Sequence, residues 1–529
     1  MPYDAIAPYM KVLEAKVGFL RKTTVDDQRR ALDALSRQAC VYDLQYVAPL
    51  LLRCQDGLAH EIARLVRTLL CSKGVWDKGA NLYASFNWLL AEALMERADA
   101  LSLPLELSVH ILGLASLNQN GYIRQKALVR MGSMPHPEAF PYILVRLNDW
   151  VGEVQAEAER AFASLLPTLQ IQDIVPYGGL ICALAHMGRR DLTHIRAQIA
   201  AHMREPVRRG DLINAMDTGS LKERLFLCHM VGPEQDVVEA AFHSRESLVR
   251  VWALTQLPQD ETSLQRVTHL LRDPSSRVRL TALRRVPETR FLEKRPFFEA
   301  ALFDPARGVR EYATFVMTRL GETDIASLYR QAVLKATPPS PGALMGLAQK
   351  GVPGDTEILL PFMAHPNGRV RAAVLTACAR WGLLEMDARL LEGLGDTSAK
   401  VRRACALILA RKHRHLRPQL KDLVMKAPLK TAQSAFFVLV QYGGLEALEG
   451  ILLALARPDD ALRPHAWKRF EAWWQRSYTL SLYHVDQQLL GDIEARLTTL
   501  RTTGGEPCDK GRSAWDALPQ YLARLRKKP

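Results

Sequence analysis

Asp273-Pro274-Ser275-Ser276-Arg277-Val278-Arg279, followed by LTALRRV, decides the fold because the same order of residues keeps returning. It recurs as Asp304-Pro305-ARG-Val309-Arg310-EYATFVM, His365-Pro366-NGR-Val370-Arg371-AAVLTA and Asp396-TSAK-Val401-Arg402-RACALIL. Upstream copies read Asn118-QNGY-Ile123-Arg124-QKALVRM, Asp149-WVGE-Val154-Gln155-AEAERAF and Ser244-RESL-Val249-Arg250-VWALTQL. The starting positions 244, 273, 304, 365 and 396 are 29, 31, 61 and 31 residues apart, and 61 leaves room for a degenerate unit at KATPPSPGALMGLAQKG. Weaker units lie near VDDQRRALDAL, QDGLAHEIARLV, KAPLKTAQSAFFVLVQYGG and ARPDDALRPHAWKRF.

Each position in the unit has a physical role. Asp, Asn or Ser suits a helix N-cap, with Pro tolerated at the first helical position. The aliphatic residue and the later Ala and Leu recur at helical spacing and form one apolar stripe. A period of about 31 residues accommodates two short helices and two turns. One such hairpin cannot bury its apolar face alone, so the units must stack. The expected fold is all-α: an α-solenoid, or superhelix, of helical hairpins.

These units resemble HEAT repeats, in particular the shorter bacterial HEAT-like type also seen in phycobilin lyases. The resemblance spans roughly residues 20–460 and rests on D-P-x-x-x-V-R-x-x-A. It implies a scaffold or adaptor more often than an enzyme. Deoxyhypusine hydroxylase resembles such repeats but needs paired His-Glu motifs, and here His60-Glu61 stands without the others. HEAT-like DNA glycosylases use a carboxylate beside tryptophans; Trp76-Asp77 and Asp149-Trp150 match only superficially, since Asp149 holds the N-cap position of its repeat.

The expected organisation is an N-terminal capping helix over 1–20, a repeat region over 21–460 with an irregular pair near 75–110, and a helical cap over 461–529. In that cap Val485, Leu489, Ile493, Leu497 and Leu500 make one stripe. Trp515, Leu518, Tyr521, Leu522 and Leu525 make another.

The chain has 529 residues, too many for one hydrophobic core. At 48% hydrophobic and 24% charged, it is neither disordered nor fibrous. No run of about 18 uncharged apolar residues suits a membrane span, and no secretory signal precedes the repeats. Eight scattered cysteines without a C-x-x-C pair read as buried hydrophobes in a reducing cytoplasm.

A net charge of +14 is compatible with nucleic acid, an anionic surface or an acidic protein. The recurring arginines 124, 250, 279, 310, 371 and 402 are expected to bind the Asp or loop carbonyls of neighbouring repeats. Outside that ladder, Lys400–Lys421 carries eight Lys or Arg and no acid, and Arg403, Arg411, Lys412, Arg414 and Arg417 are its candidate contact residues. A second basic stretch holds Arg189, Arg190, Arg196, Arg204, Arg208 and Arg209, diluted by Asp191 and Glu205. Among Trp467, Trp473, Trp474, Tyr478 and Tyr483, the stripe Trp467-Phe470-Trp474 is expected to be core, leaving Trp473 as the surface candidate.

No metal, cofactor or catalytic residue is assigned. His186, His194 and His202 are separated by a helix-breaking GRRD, and His413 and His415, two apart, would point to different sides of a helix. No Walker motif, G-x-S-x-G or clustered Cys–His pair is present. The expected function is therefore a non-catalytic, cytoplasmic, bacterial-type scaffold that presents an extended surface to a protein partner. The alternative is a nucleic-acid-binding solenoid that uses the basic stretches; a glycosylase or a lyase-like helper comes third.

Overall fold

The computed structural model describes residues 2–15, 24–72, 75–76, 90–187, 189–258, 260–383, 386–476, 486–502 and 512–526, without the side chains of 2–5, 261 and 262. Among these residues every regular element is helical. The chain divides into two compact units, Met1–Leu270 and Leu271–Pro529. Each is a stack of helical hairpins of the α-solenoid kind.

In the first unit, helix Gly121–Ser133 packs on Leu105–Ser116 and on Gly152–Leu165. A continuous core runs from Ile6 to Ala253. In the second, helix Gly368–Arg380 packs on Ala399–Lys412, which packs in turn on Leu429–Gln441. Each helix thus buries its apolar stripe against the next repeat as well as its own partner, as the stacking requirement demands.

The turn that opens each repeat has one construction. The leading Asp, Asn, Ser or His is not the N-cap: it lies two residues before it, and its side chain accepts the backbone N–H two residues on. Asp149 accepts from Val151 at 3.0 Å, Asp273 from Ser275 at 2.7 Å, Asp304 from Ala306 at 2.7 Å and Asp396 from Ser398 at 2.6 Å. Asn118, Ser244 and His365 do the same for Asn120, Glu246 and Asn367. An Asx-type turn and an N-cap favour the same residues, because both need a short side-chain acceptor near a free amide. This explains the two-residue displacement from the expected N-cap.

The recurring arginine completes the turn. Its Nη1 donates to the carbonyl six residues back, in Arg124, Arg250, Arg279, Arg310, Arg371 and Arg402 alike, at 2.6–2.9 Å. Where the repeat carries Gln155, the amide Nε2 donates to the equivalent carbonyl of Asp149. The rest of the guanidinium reaches onward by 25 residues: Arg279 forks onto Asp304 at 2.7 and 2.8 Å, and Arg371 onto Asp396 at 3.0 and 2.6 Å. Arg124 meets Asp149 at 2.8 Å, and Arg146 reaches the other oxygen at 2.6 Å. All three side chains in that first-unit cluster are fully buried, at 0% exposure.

Beside the degenerate unit, Arg330 of helix Ile325–Lys335 bonds to Asp355 at 2.6 Å, a contact outside the ladder turns. Helix Pro341–Lys350 starts at Ser340, whose hydroxyl accepts the Ala343 N–H at 3.1 Å, with proline in the first turn. Gly346 lets that helix lie against the Tyr329 ring, since a Cβ there would come within 2.1 Å of it.

Near the end of the second unit, helix Gln487–Thr502 buries Leu489, Ile493, Leu497 and Leu500, and helix Arg512–Arg526 buries Trp515, Leu518, Leu522 and Leu525. Val485 lies outside the described residues. Among the described residues no helix is long and apolar enough to cross a membrane.

Two stability effects follow from this construction. Asp149→Asn strips the carboxylate charge from two fully buried guanidiniums and should cost about 3–5 kcal/mol, whereas Asp396→Asn at a partly exposed rung should cost about 1–3 kcal/mol. Urea unfolding of both variants checks the ranking, and equal costs would contradict it. Gly346→Ala should overpack the Tyr329 contact and cost about 1–3 kcal/mol, read as a fall in melting temperature.

Candidate functional site

Three groups of described residues outside the ladder stand out: the basic turn after residue 400, a polar cluster around buried His110 in the first unit, and exposed aromatics on the turns of that unit.

The basic turn joins helices Ala399–Lys412 and Arg417–Lys426. Half of its charge is spent within the unit. Arg402 serves its own loop. Arg414 bonds to the Tyr442 carbonyl at 3.3 Å, lies over its ring and approaches Glu446 at 3.5 Å. Arg417 and Lys421 close on Glu449, each at 2.5 Å. Burial raises the Glu449 carboxyl, but the hydrogen bonds from Lys421 and Arg417 outweigh it and hold the group ionised below its usual range. Lys400, Arg403, Arg411 and Lys412 are exposed.

His413 and His415 do not diverge as two residues of one helix would. His413 caps helix Ala399–Lys412, with φ −120° and ψ 45°, and a 3₁₀ turn begins immediately after it. Both rings consequently face Asp387 of helix Met386–Gly393, His413 Nδ1 at 2.7 Å and His415 Nε2 at 2.5 Å.

In the aromatic segment, Phe470 and Ala466 are the buried positions, while Trp467, Trp473 and Trp474 are all half-buried. Trp473 donates its indole N–H to the Gly444 carbonyl at 2.8 Å, stacks on Phe470 and meets Tyr521 edge-on. Tyr478 and Tyr483 lie outside the described residues.

The second basic stretch is absorbed within the first unit. Arg190 pairs with Glu159 at 2.6 Å, Arg208 with Glu205 at 3.2 Å and Arg209 with Asp236. Arg204 caps the Val231 and Met230 carbonyls, and Arg196 lies against the Met230 sulfur. His202, far from His186 and His194 in role, bridges Glu205 and the Leu169 carbonyl.

One Cys–His pair does assemble, from segments with no local pattern in common. Cys71 Sγ lies 3.9 Å from His110 Nε2, which is 2.8 Å from Glu138; His110 Nδ1 is 2.9 Å from the Tyr142 hydroxyl. Glu138 is also gripped by Arg67 through both carboxylate oxygens. An ionised carboxylate only accepts, so Nε2 carries the proton it donates to Glu138, and Nδ1 shares the second hydrogen bond with the Tyr142 hydroxyl. Burial raises the Glu138 carboxyl, yet hydrogen bonds from His110 and Arg67 prevail and bring it to about 2. Burial, then the negative charge of Glu138, raises the Cys71 thiol, so it is protonated at neutral pH and poorly suited to attack. The arrangement is a tether between helix Asp56–Leu70, helix Leu105–Ser116 and the turn at Glu138.

The exposed aromatics stand on two packed turns. Tyr122, in the first turn of helix Gly121–Ser133, is 84% exposed, and Trp150, before helix Gly152–Leu165, is 54% exposed. Arg124 lies under the Trp150 ring at 4.2 Å and Arg189 lies 5.5 Å from its centroid. Nothing in the sequence separates these aromatics from core ones. Asp149 beside Trp150 is sealed between Arg124 and Arg146, so it offers no free carboxylate to a base.

No family model and no curated protein matches the chain. Among solved structures, a chain from "Kap95p Binding Induces the Switch Loops of RanGDP to adopt the GTP-bound Conformation: Implications for Nuclear Import Complex Assembly Dynamics" is similar at 12% identity and a TM-score of 0.33, over 99% of this chain and 80% of that one. At that overlap it bears on neither partner nor chemistry.

The Glu138 tether has a pH signature. Its folded pKa, about 2, lies below its ordinary 4.5, so its contribution is present above 4.5 and is lost as pH falls toward 2. In urea unfolding across that window, the wild type should lose about 2 kcal/mol more than Glu138→Gln. Parallel losses would show that the carboxylate is not so held.

Proposed function

We propose that the chain is a non-catalytic scaffold that binds a protein partner, with Tyr122 and Trp150 on the turns of the first unit as anchors. One observation carries this reading. Many of the basic residues that favoured nucleic acid are held in intramolecular bonds, while two large aromatics stay exposed on turns fixed by the arginine ladder. Trp, Tyr and Arg on a rigid support are the residue types that dominate protein–protein affinity, because they bury much area at little entropic cost. The cations beside Trp150 hold the ring in place before any partner arrives. The seven described cysteines are all free, which suits a reducing cytoplasm. The repeat type points to a bacterial source.

A second reading has one observation of its own. Arg403, Arg411 and Lys412 remain exposed beside Arg414 and Arg417, and could meet phosphates as a small patch.

Affinity capture separates the two. The wild-type chain should retain a stoichiometric protein at moderate salt after nuclease treatment, and Tyr122→Ala/Trp150→Ala should lose it. Replacing Arg403, Arg411 and Lys412 by Glu should leave that capture unchanged. Duplex binding with steep salt dependence, abolished by the Glu variant, together with unaltered protein capture by the aromatic variant, would reverse the assignment.

A further inference from the structure

We infer that Asp387, His413 and His415 form a binding site for a zinc-class divalent metal ion. The site goes beyond the scaffold reading and does not depend on it. One donor from each residue converges, and the three atoms lie within 4.8 Å of one another. Bonds of about 2.0–2.2 Å to a common ion place tetrahedral ligand atoms a little over 3 Å apart. The observed 2.7 and 2.5 Å His–Asp separations need only widen slightly for an ion to enter between them.

The supports are fixed by the fold. Asp387 stands in the first turn of helix Met386–Gly393, which packs on helix Ala399–Lys412. His413 ends the latter helix, and His415 sits in the 3₁₀ turn that leads to Arg417–Lys426. The break in helical geometry at His413 turns both imidazoles, 5.7 Å apart at their centroids, toward one carboxylate. Donors mounted on packed elements lose little freedom on binding, which favours a defined geometry.

The donor set selects the ion. Two imidazole nitrogens and one carboxylate oxygen suit Zn²⁺ and its neighbours Co²⁺, Ni²⁺ and Cu²⁺; Ca²⁺ and Mg²⁺ want oxygen throughout. Three protein ligands leave a fourth position for water, as in open zinc sites. Solvent reaches that position, since His415 is 61% exposed and Asp387 43%. Arg411 and Lys412 are exposed, so water and salt screen their repulsion of the ion.

Among the described residues the other convergent set, Cys71, His110 and Glu138, is the weaker candidate. There Arg67 already occupies both Glu138 oxygens, and an entering cation would have to displace a guanidinium.

The test uses the full chain, stripped with a chelator and titrated by calorimetry with Zn²⁺. Co²⁺ serves in parallel for its visible ligand-field bands. One equivalent should bind the wild type, and the Co²⁺ spectrum should be that of a four-coordinate site with nitrogen and oxygen ligands. Asp387→Asn and His415→Gln each remove a ligand and should weaken binding by more than the roughly 10–100-fold typical of outer-shell changes. His415→Gln is an exposed substitution, and circular dichroism of the variant confirms that the fold persists. Absence of stoichiometric binding to the wild type would overturn the assignment. So would binding unchanged in both variants, which would locate the ion elsewhere; in that case His110→Gln would abolish it.

Discussion

A guanidinium lodged in the turn between helices organises this molecule. The chain entering each second helix leaves carbonyls pointing inward, where no backbone donor can reach them. An unmet buried carbonyl costs more than a typical hydrogen bond returns, so the turn must recruit a donor. Arginine can serve two turns at once because its five N–H groups lie in a rigid plane. One edge closes its own turn, and the fork holds the Asp that builds the next. That Asp in turn fixes the amide that starts its helix. Local geometry and repeat-to-repeat spacing thus depend on the same side chain. Gln155 shows the minimum version: it reaches the carbonyl of its own turn with a single amide.

This arrangement changes the meaning of the net charge. A formal +14 describes the composition, yet several of the arginines behind it are interior and bonded. Arg124, Arg146, Arg224 and Arg310 are among the largest fully buried side chains in the chain. Buried charge is costly unless paired and hydrogen-bonded, and these are placed where carbonyls and carboxylates already wait.

How far the sequence could be read follows from how local each signal is. The helices, their period and the terminal stripes depend on spacing along one segment, and the buried sets Leu489–Leu500 and Trp515–Leu525 match that spacing. The Arg ladder was legible because each repeat states both partners. The leading Asp was misplaced by two residues, because an N-cap and an Asx turn ask for the same side chains. His413 and His415 do not diverge, because the helix ends at Lys412 and its geometry does not extend the three residues to His415. Cys71, His110 and Glu138 carry no common pattern, since the contact joins positions 39 and 28 residues apart. Tyr122 and Trp150 look like any core aromatic until the turns that carry them are in place.

The ladder also decides where recognition is best placed. In most folds turns are the mobile parts, and a side chain on one pays entropy when it is fixed by a ligand. Here the turns that carry Tyr122 and Trp150 are braced by side chains: Asn118 and Asp149 accept their backbone N–H groups, Arg124 and Gln155 donate to their carbonyls, and Arg124 also holds Asp149. A Trp or Tyr on such a turn is held as firmly as one on a helix, yet it stands clear of the packed faces. The helices must spend their apolar stripes on each other, because no hairpin is stable alone. What remains for a partner is the row of turns, and the exposed Tyr122 and Trp150 occupy two successive members of it.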